Sequence, residues 1–159
     1  MQLIDYRDLT PIQRSQLIDI EVRPEQIRFA GDVANALYIL VSTRADDRRG
    51  IAIVHEGVPR GFMLIERAPF LPFWAQADAA ALCAFQIDQR MQGQGLGRFC
   101  MGALPVLVRA LWPEVRLLQL SVDPENQAAL GLYLSTGWRD TGTGCRARQG
   151  YERQLSLML

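Results

Sequence analysis

The chain has 159 residues, 49% of them apolar, which suits one domain over 1–159 with enough material to bury about two-thirds of its unfolded surface. Seventeen basic residues balance seventeen acidic ones, so no excess of positive charge marks the chain for nucleic acid, although a local basic patch around a phosphate-bearing ligand is still allowed. The opening residues are charged from Asp5 onward and no stretch reaches the roughly 20 apolar residues of a membrane span, so the expectation is a cytoplasmic protein with no signal peptide and no membrane contact.

Residues 3–6 form a short first strand candidate. Thr10 and Pro11 then open a helix, the first as N-cap and the second at the first helical position. Pro24 begins a short turn, and residues 33–42 read as a helix with Ala36, Leu37 and Leu40 on one side. The charged run 44–50 is a solvated loop. Apolar runs 51–54 and 62–65 flank a turn placed at 57–61 by its Gly and Pro residues, which predicts a hairpin. Residues 68–78 form a loop rich in Pro and aromatic residues, and 83–87 a strand apolar enough to be buried on both faces. Cys83, Cys100 and Cys145 form no CxxC pair and lack a histidine cluster, so neither a metal nor a disulfide frame is expected, and Cys83 and Cys100 read as buried thiols. His55, the single histidine, falls on the hairpin turn and reads as a surface residue.

Residues 95–111 give the strongest helix. Leu96, Phe99, Cys100, Ala103, Leu104, Leu107, Val108 and Leu111 recur in steps of three and four and form one apolar stripe. Pro105 falls inside it and removes one backbone hydrogen bond. A strand at 117–122, a turn at Asp123-Pro124, a helix at 127–136 stopped by Gly137, and strands at 138–143 and 151–157 complete the chain. The last strand half-alternates, the pattern of an outer strand.

The segment Gln92-Gly93-Gln94-Gly95-Leu96-Gly97-Arg98 joins an apolar strand to the long amphipathic helix. Glycines let the backbone turn tightly and approach a ligand. The first helical amides have no internal partner, and the helix dipole places partial positive charge beside them. A pyrophosphate fits such a place. Glycines at every second position do not match the dinucleotide fingerprint, and no Gly-Lys-Ser/Thr follows, so neither a Rossmann nor a Walker loop is indicated.

The segment resembles the acetyl-CoA-binding signature of the GNAT superfamily of N-acetyltransferases, Q/R-x-x-G-x-G/A, with Phe85-Gln86-Ile87-Asp88 as the entering strand. Downstream, Leu120-Ser121-Val122-Asp123-Pro124-Glu125-Asn126 and the following helix with Tyr133, closed by Gly137-Trp138, is similar to that family's strand, Asn, Tyr-bearing helix and Gly-aromatic exit. The resemblance implies an α/β (α+β) fold with a mixed, mostly antiparallel sheet of about six to seven strands and flanking helices. It further implies strands splayed at Phe85–Asp88 and 118–121, with pantetheine between them paired to backbone groups of Ile87. Amides of Gln92, Gly93, Gln94, Gly95, Leu96, Gly97 and Arg98 would cradle the pyrophosphate, Asn126 would contact the cofactor, and Tyr133 would protonate the departing thiolate.

An alkyl ammonium has a pKa of about 10.4 and must lose a proton before it attacks a thioester, so a base or a water chain is required. Glu66, at the end of the hairpin, and Asp88, before the loop, are the candidates. Direct attack needs no covalent enzyme intermediate, so the cysteines need no role. For the acceptor, Val22-Arg23-Pro24-Glu25-Gln26-Ile27-Arg28-Phe29 is similar to the start of spermine/spermidine acetyltransferase-like members, which implies a small primary amine or polyamine. Phe70-Leu71-Pro72-Phe73-Trp74 suits an apolar or aromatic amine, a hydrophobic lid or a contact in a homodimer. A protein or peptide amine is the alternative acceptor, and an acyl-CoA-binding sensor without turnover the alternative function.

Overall fold

The computed structural model describes residues 1–147 and 150–159. Strand β1 (Gln2–Asp5) leads into helix α1 (Pro11–Gln16), short helix α2 (Ile27–Ala30) and helix α3 (Val33–Ser42). Strands β2 (Arg48–His55), β3 (Val58–Glu66) and β4 (Ala80–Ile87) follow, then helix α4 (Leu96–Leu111) and strand β5 (Leu117–Val122). Helix α5 (Gln127–Ser135) and strands β6 (Arg139–Ala147) and β7 (Gly150–Met158) complete the order. The strands form one seven-stranded sheet in the order β1-β2-β3-β4-β5-β7-β6. All neighbours are antiparallel except β4 and β5.

The apolar runs read from the sequence are continuous because both faces of the sheet are covered. Ile51, Ile53, Met63 and Ile65 point to the face packed by Leu96, Cys100, Leu104 and Val108 of α4. The alternate residues Ala52, Val54, Phe62 and Leu64 point to the other face, with Leu17, Val33 and Ala36. Period-two alternation thus divides one run between two cores. Helix α4 continues through Pro105, at the cost of the amide that would have met the Met101 carbonyl.

Three local expectations are corrected. The hairpin closes earlier than 57–61, at Glu56 and Gly57, both at positive φ of 50° and 78°, as a two-residue type I′ turn requires. Pro59 then sits inside β3, next to a bulge at Ile53/Val54 where its missing amide is tolerated. The final strand is not an outer one: β7 lies between β5 and β6, and largely exposed β6 forms the edge. Its half-alternation follows from the thin cover that this edge neighbour provides. Strand β4 is not buried on both faces either, since Cys83, Ala84 and Phe85 are half-exposed.

Candidate active site

The site begins where β4 and β5 part. They pair only at Ala80–Leu118 and Ala81–Gln119, although β5 runs on to Val122. The cause is local. Between Phe62–Gln86 and Leu64–Cys83 the β3–β4 register gains one residue on β4, and Ala84 takes φ +50°. Such a bulge bends its strand and increases its twist, turning the second half of β4 away from β5. The β4 backbone facing the gap is left without a β5 partner.

Two connected cavities occupy this gap. The larger, about 590 Å³, runs past Phe85 and Ile87 to the glycine turn and α5. Gly95 caps α4 at φ +89° and Gly93 sits at φ +76°, where a side chain is strained. A Cβ at either would meet nothing within 4 Å, so the backbone there faces open space. The first helical bond returns from the Phe99 amide to the Gly95 carbonyl, which leaves the amides of Leu96, Gly97 and Arg98 pointing forward as donors. Gly97 is small for a different reason. A Cβ there would come within 2.9 Å of Leu132 and 3.4 Å of Ile87, so its absence lets α4 approach α5 and β4. Arg23 and Arg98 line the cavity, and no carboxylate does.

The side chain of Gln92 is engaged within the fold. Its Nε2 donates to the Ile87 carbonyl at 2.9 Å and to Gln26 Oε1 at 2.8 Å, and its Oε1 accepts from Gln26 Nε2 at 3.1 Å. This pairing fastens the segment holding Val22, Arg23, Gln26 and Phe29 over the cavity. Gln94 turns back to donate to the Arg90 carbonyl. Gln86 is buried, and its Oε1 is unpartnered among the described residues while its Nε2 donates to Ala30.

The smaller cavity, about 220 Å³, continues from Phe29, Phe85, Asn126 and Ala129, which it shares with the larger one. It lies among Cys83, Ser121, Tyr133 and Glu152, with Pro72 and Trp74 of the 67–79 connection as a further wall. That connection is held by the Gln76 amide donating to Gln119 Oε1 at 2.7 Å and by Arg48 stacked 4.4 Å from the Phe70 ring. Asn126 caps α5, accepting from the Ala129 amide at 3.3 Å. Two turns on, Tyr133 is 6% exposed and packed between Phe85 and Trp138, with ring centroids 6.5 and 5.8 Å away. Its hydroxyl makes no hydrogen bond among the described residues and lies at the cavity wall. Burial holds its pKa well above the usual phenol value, so it stays protonated.

Neither proposed base reaches this space. Glu66 is buried beside Arg48, whose Nε donates to it at 2.7 Å. Asp88 is fully buried; it accepts from the Arg90 amide at 3.0 Å and from the Arg90 guanidinium, with Arg60 near by. Burial pushes the Asp88 pKa up, but the hydrogen bonds and charge of Arg90 more than offset it, and the carboxyl sits below the usual range. Neither residue lines either cavity. Cys83, expected to be buried, lines the smaller cavity, with its pKa pushed up to about 12 by burial and by Glu66. Glu152 and Ser121 were missed by sequence reasoning: Ser121 Oγ donates to Glu152 Oε2 at 2.5 Å across the β5–β7 pair.

An unpaired strand edge and an open glycine turn beside a cavity walled by a protonated phenol would suit an extended ligand with an anionic head. The acetyltransferase (GNAT) family model matches residues 10–138, and the chain belongs to that family. It is an acetyltransferase with the seven-stranded, mostly antiparallel sheet expected of that fold. Among solved structures, the aminoglycoside acetyltransferase AAC(6')-Ib in complex with paromomycin and acetyl-CoA is similar, with TM-score 0.74 and 19% identity over 99% of this chain and 91% of that one. The GNAT domain of S. lividans PAT gives TM-score 0.71 and 20% identity over 99% and 89%. Ribosomal-protein-alanine N-acetyltransferase from Brucella melitensis gives 0.67 and 20% over the whole of both chains. At such identities these likenesses show the fold. No curated protein matches the chain in sequence.

Proposed function

We propose that this chain transfers the acetyl group of acetyl-CoA directly to a small primary amine. The single observation that carries the reading is the cleft formed by the two adjoining cavities: an arginine-flanked glycine turn at one end, an unpaired β4 edge along it, and Tyr133 in the smaller cavity at the other end. The residues fit the co-substrate, which supplies an activated acetyl thioester when bound. Amides of Gly95 to Arg98, with Arg23 and Arg98, would hold phosphates. The free backbone of Phe85 and Ile87 would pair with the pantetheine arm as an added strand does. Asn126 would meet the arm from α5, and Tyr133 would give the leaving sulfur a proton.

The Val22–Phe29 segment supports the cofactor half of this reading. Val22, Arg23 and Gln26 line the larger cavity alone while Phe29 lines both, so the segment's likeness to polyamine acetyltransferases bears on the cofactor end at three positions and on the acceptor end only through Phe29. Three free cysteines accord with a cytoplasmic setting.

Calorimetry with acetyl-CoA, followed by thiol detection of released coenzyme A over an amine panel, tests the reading. All seventeen basic residues are arginines, so no lysine of the chain adds self-acetylation to the background. Wild type should bind and turn over. Gly95→Glu, which puts bulk and negative charge at a φ of +89°, should stay folded and lose binding. Unchanged affinity in folded Gly95→Glu would reject the phosphate site; binding without release on any amine would make the protein an acyl-CoA sensor.

A further inference from the structure

The geometry points to the smaller cavity as an ammonium-selective acceptor chamber in which Glu152 receives the proton of a compact aryl-alkyl or alkyl primary amine. The inference rests on the acetyl-transfer reading above and names its substrate class and its base.

Four aromatic rings, those of Phe29, Trp74, Phe85 and Tyr133, line the chamber together with the carboxylates of Asp123 and Glu152. Among the described residues no Lys or Arg lines it. Aromatic faces attract a cation through their quadrupole, and a carboxylate completes the recognition of an ammonium. A neutral or anionic acceptor would leave both carboxylates facing like charge or apolar walls. The second, independent sign of a ligand is Tyr133: it is 6% exposed, and its hydroxyl has no partner among the described residues. The hydroxyl is not one of the enclosed unpartnered polar atoms, so on an otherwise buried side chain it stays open to the chamber and free to hydrogen-bond a ligand there.

Of the two carboxylates, Asp123 Oδ1 already accepts from the Glu125 amide at 2.8 Å and serves the turn into α5. Among the described residues Glu152 has a single hydrogen bond, from Ser121 Oγ, which fixes one carboxylate oxygen and leaves the other to accept. A cavity of about 220 Å³ is below the roughly 300–1,000 Å³ of sites for drug-sized ligands, so the acceptor is compact. An aminoglycoside does not fit within it, and a long polyamine would place its further cations on aromatic and apolar walls.

The proton account closes. The alkyl ammonium gives one proton to Glu152, which passes it to solvent. The freed lone pair forms the N–C bond to the thioester carbonyl carbon as the C–S bond breaks. The second nitrogen proton replaces the one that Tyr133 gives to sulfur. Ammonium and acetyl thioester become amide, thiol and one solvent proton.

The test uses the full chain with phenethylamine, spermidine, kanamycin and an alanine-terminated peptide, at matched concentrations, with wild type, Glu152→Gln and Ser121→Ala. Phenethylamine should be preferred over the other three by about tenfold or more in kcat/KM. Glu152→Gln should lower kcat/KM for it by about 10²-fold or more, with acetyl-CoA affinity unchanged by calorimetry, and Ser121→Ala should fall between that variant and wild type. Equal or better turnover of the peptide or kanamycin overturns the substrate class. Glu152→Gln with wild-type kcat/KM overturns the role of Glu152. Loss of acetyl-CoA binding in wild type instead rejects the parent reading, so the two failures are distinct. If Glu152→Gln does not fold, an intermediate loss in Ser121→Ala supports the assignment and wild-type activity in Ser121→Ala overturns it.

Discussion

The two ends of the cleft are built on the same strands and carry opposite charge. Among the described residues, the glycine-turn end is lined by Arg23 and Arg98 with no carboxylate, and the chamber by Asp123 and Glu152 with no arginine. A chain with equal numbers of acids and bases therefore separates them along one groove a few residues wide. The lesson is that balanced composition hides polarity: an anionic ligand and a cationic one can each be steered to its own end. Phe29, Ala30, Phe85, Asn126 and Ala129 border both ends, so on the proposed reading the two ligands would meet at this junction.

The sharpest way to break this comparison is in the chamber, beside the junction. Tyr133→Phe keeps the ring between Phe85 and Trp138 and removes only the hydroxyl. We expect kcat to fall by about 10²–10⁴-fold, the usual worth of general acid catalysis, with acetyl-CoA affinity and Tm little changed. Full kcat in this variant would make Tyr133 a packing residue and the proton donor water.

A smaller effect separates the ends from each other. Arg98→Ala should weaken acetyl-CoA binding by about tenfold, as loss of one charged hydrogen bond does, and the difference from wild type should shrink as salt screens the pair. KM for the amine should stay put. If amine KM rises as much as acetyl-CoA KM does, the charge separation is not functional.

The two ends also differ in how far they could be read in advance. The glycine-turn end was legible because its signal is local: alternating glycines run directly into an apolar stripe of period 3.6. Even there, the sequence did not reveal that Gly97 is demanded by packing against Leu132 while Gly93 and Gly95 are demanded by φ. The chamber was not legible, because its walls come from α2, the 67–79 connection, β4, β5, α5 and β7. Glu152 meets Ser121, 31 residues away, only because β7 inserts between β5 and β6, a topology that reverses chain order at the sheet edge. Ser121 pairs with Gln154, which makes Glu152 its diagonal neighbour on the same face. Glu66 and Asp88 drew attention as acids at strand ends, yet each serves an arginine.

Asp88 offers a test of that last point. Asp88→Asn breaks the contact with Arg90 at the entrance to the glycine turn and should lower Tm by about 2–6 °C at pH 7, with kcat hardly altered. The sign of its pH dependence follows from the folded pKa lying below the unfolded one. The contribution of the carboxylate is fully present above about pH 4, the unfolded value, and is lost as pH falls through the folded value. Wild type should thus lose stability on acidification more steeply than Asp88→Asn. A large kcat loss with no change in Tm would instead restore Asp88 as a catalytic base.

The smallest effect is expected at Cys83, and it decides whether transfer is direct. Cys83 faces the chamber close to Tyr133, where a thiol that accepted the acetyl group would give a two-step, covalent route. Nucleophilic attack needs the thiolate. Burial and the neighbouring Glu66 carboxylate push the Cys83 pKa up to about 12, so at neutral pH the thiolate fraction is only about 10⁻⁵. Its own sulfur lies 3.9 Å from Glu66 Oε2, an acceptor that holds the proton on sulfur rather than drawing it off toward a substrate. Cys83→Ala should therefore keep kcat within about twofold, a change of roughly 0.4 kcal/mol in barrier, and iodoacetamide at pH 7.5 should not inactivate wild type. Initial velocities varied in both substrates should give intersecting lines. A hundredfold loss in Cys83→Ala, parallel lines, and an acetylated enzyme seen by mass spectrometry would together mean that the acetyl group passes through sulfur before it reaches the amine.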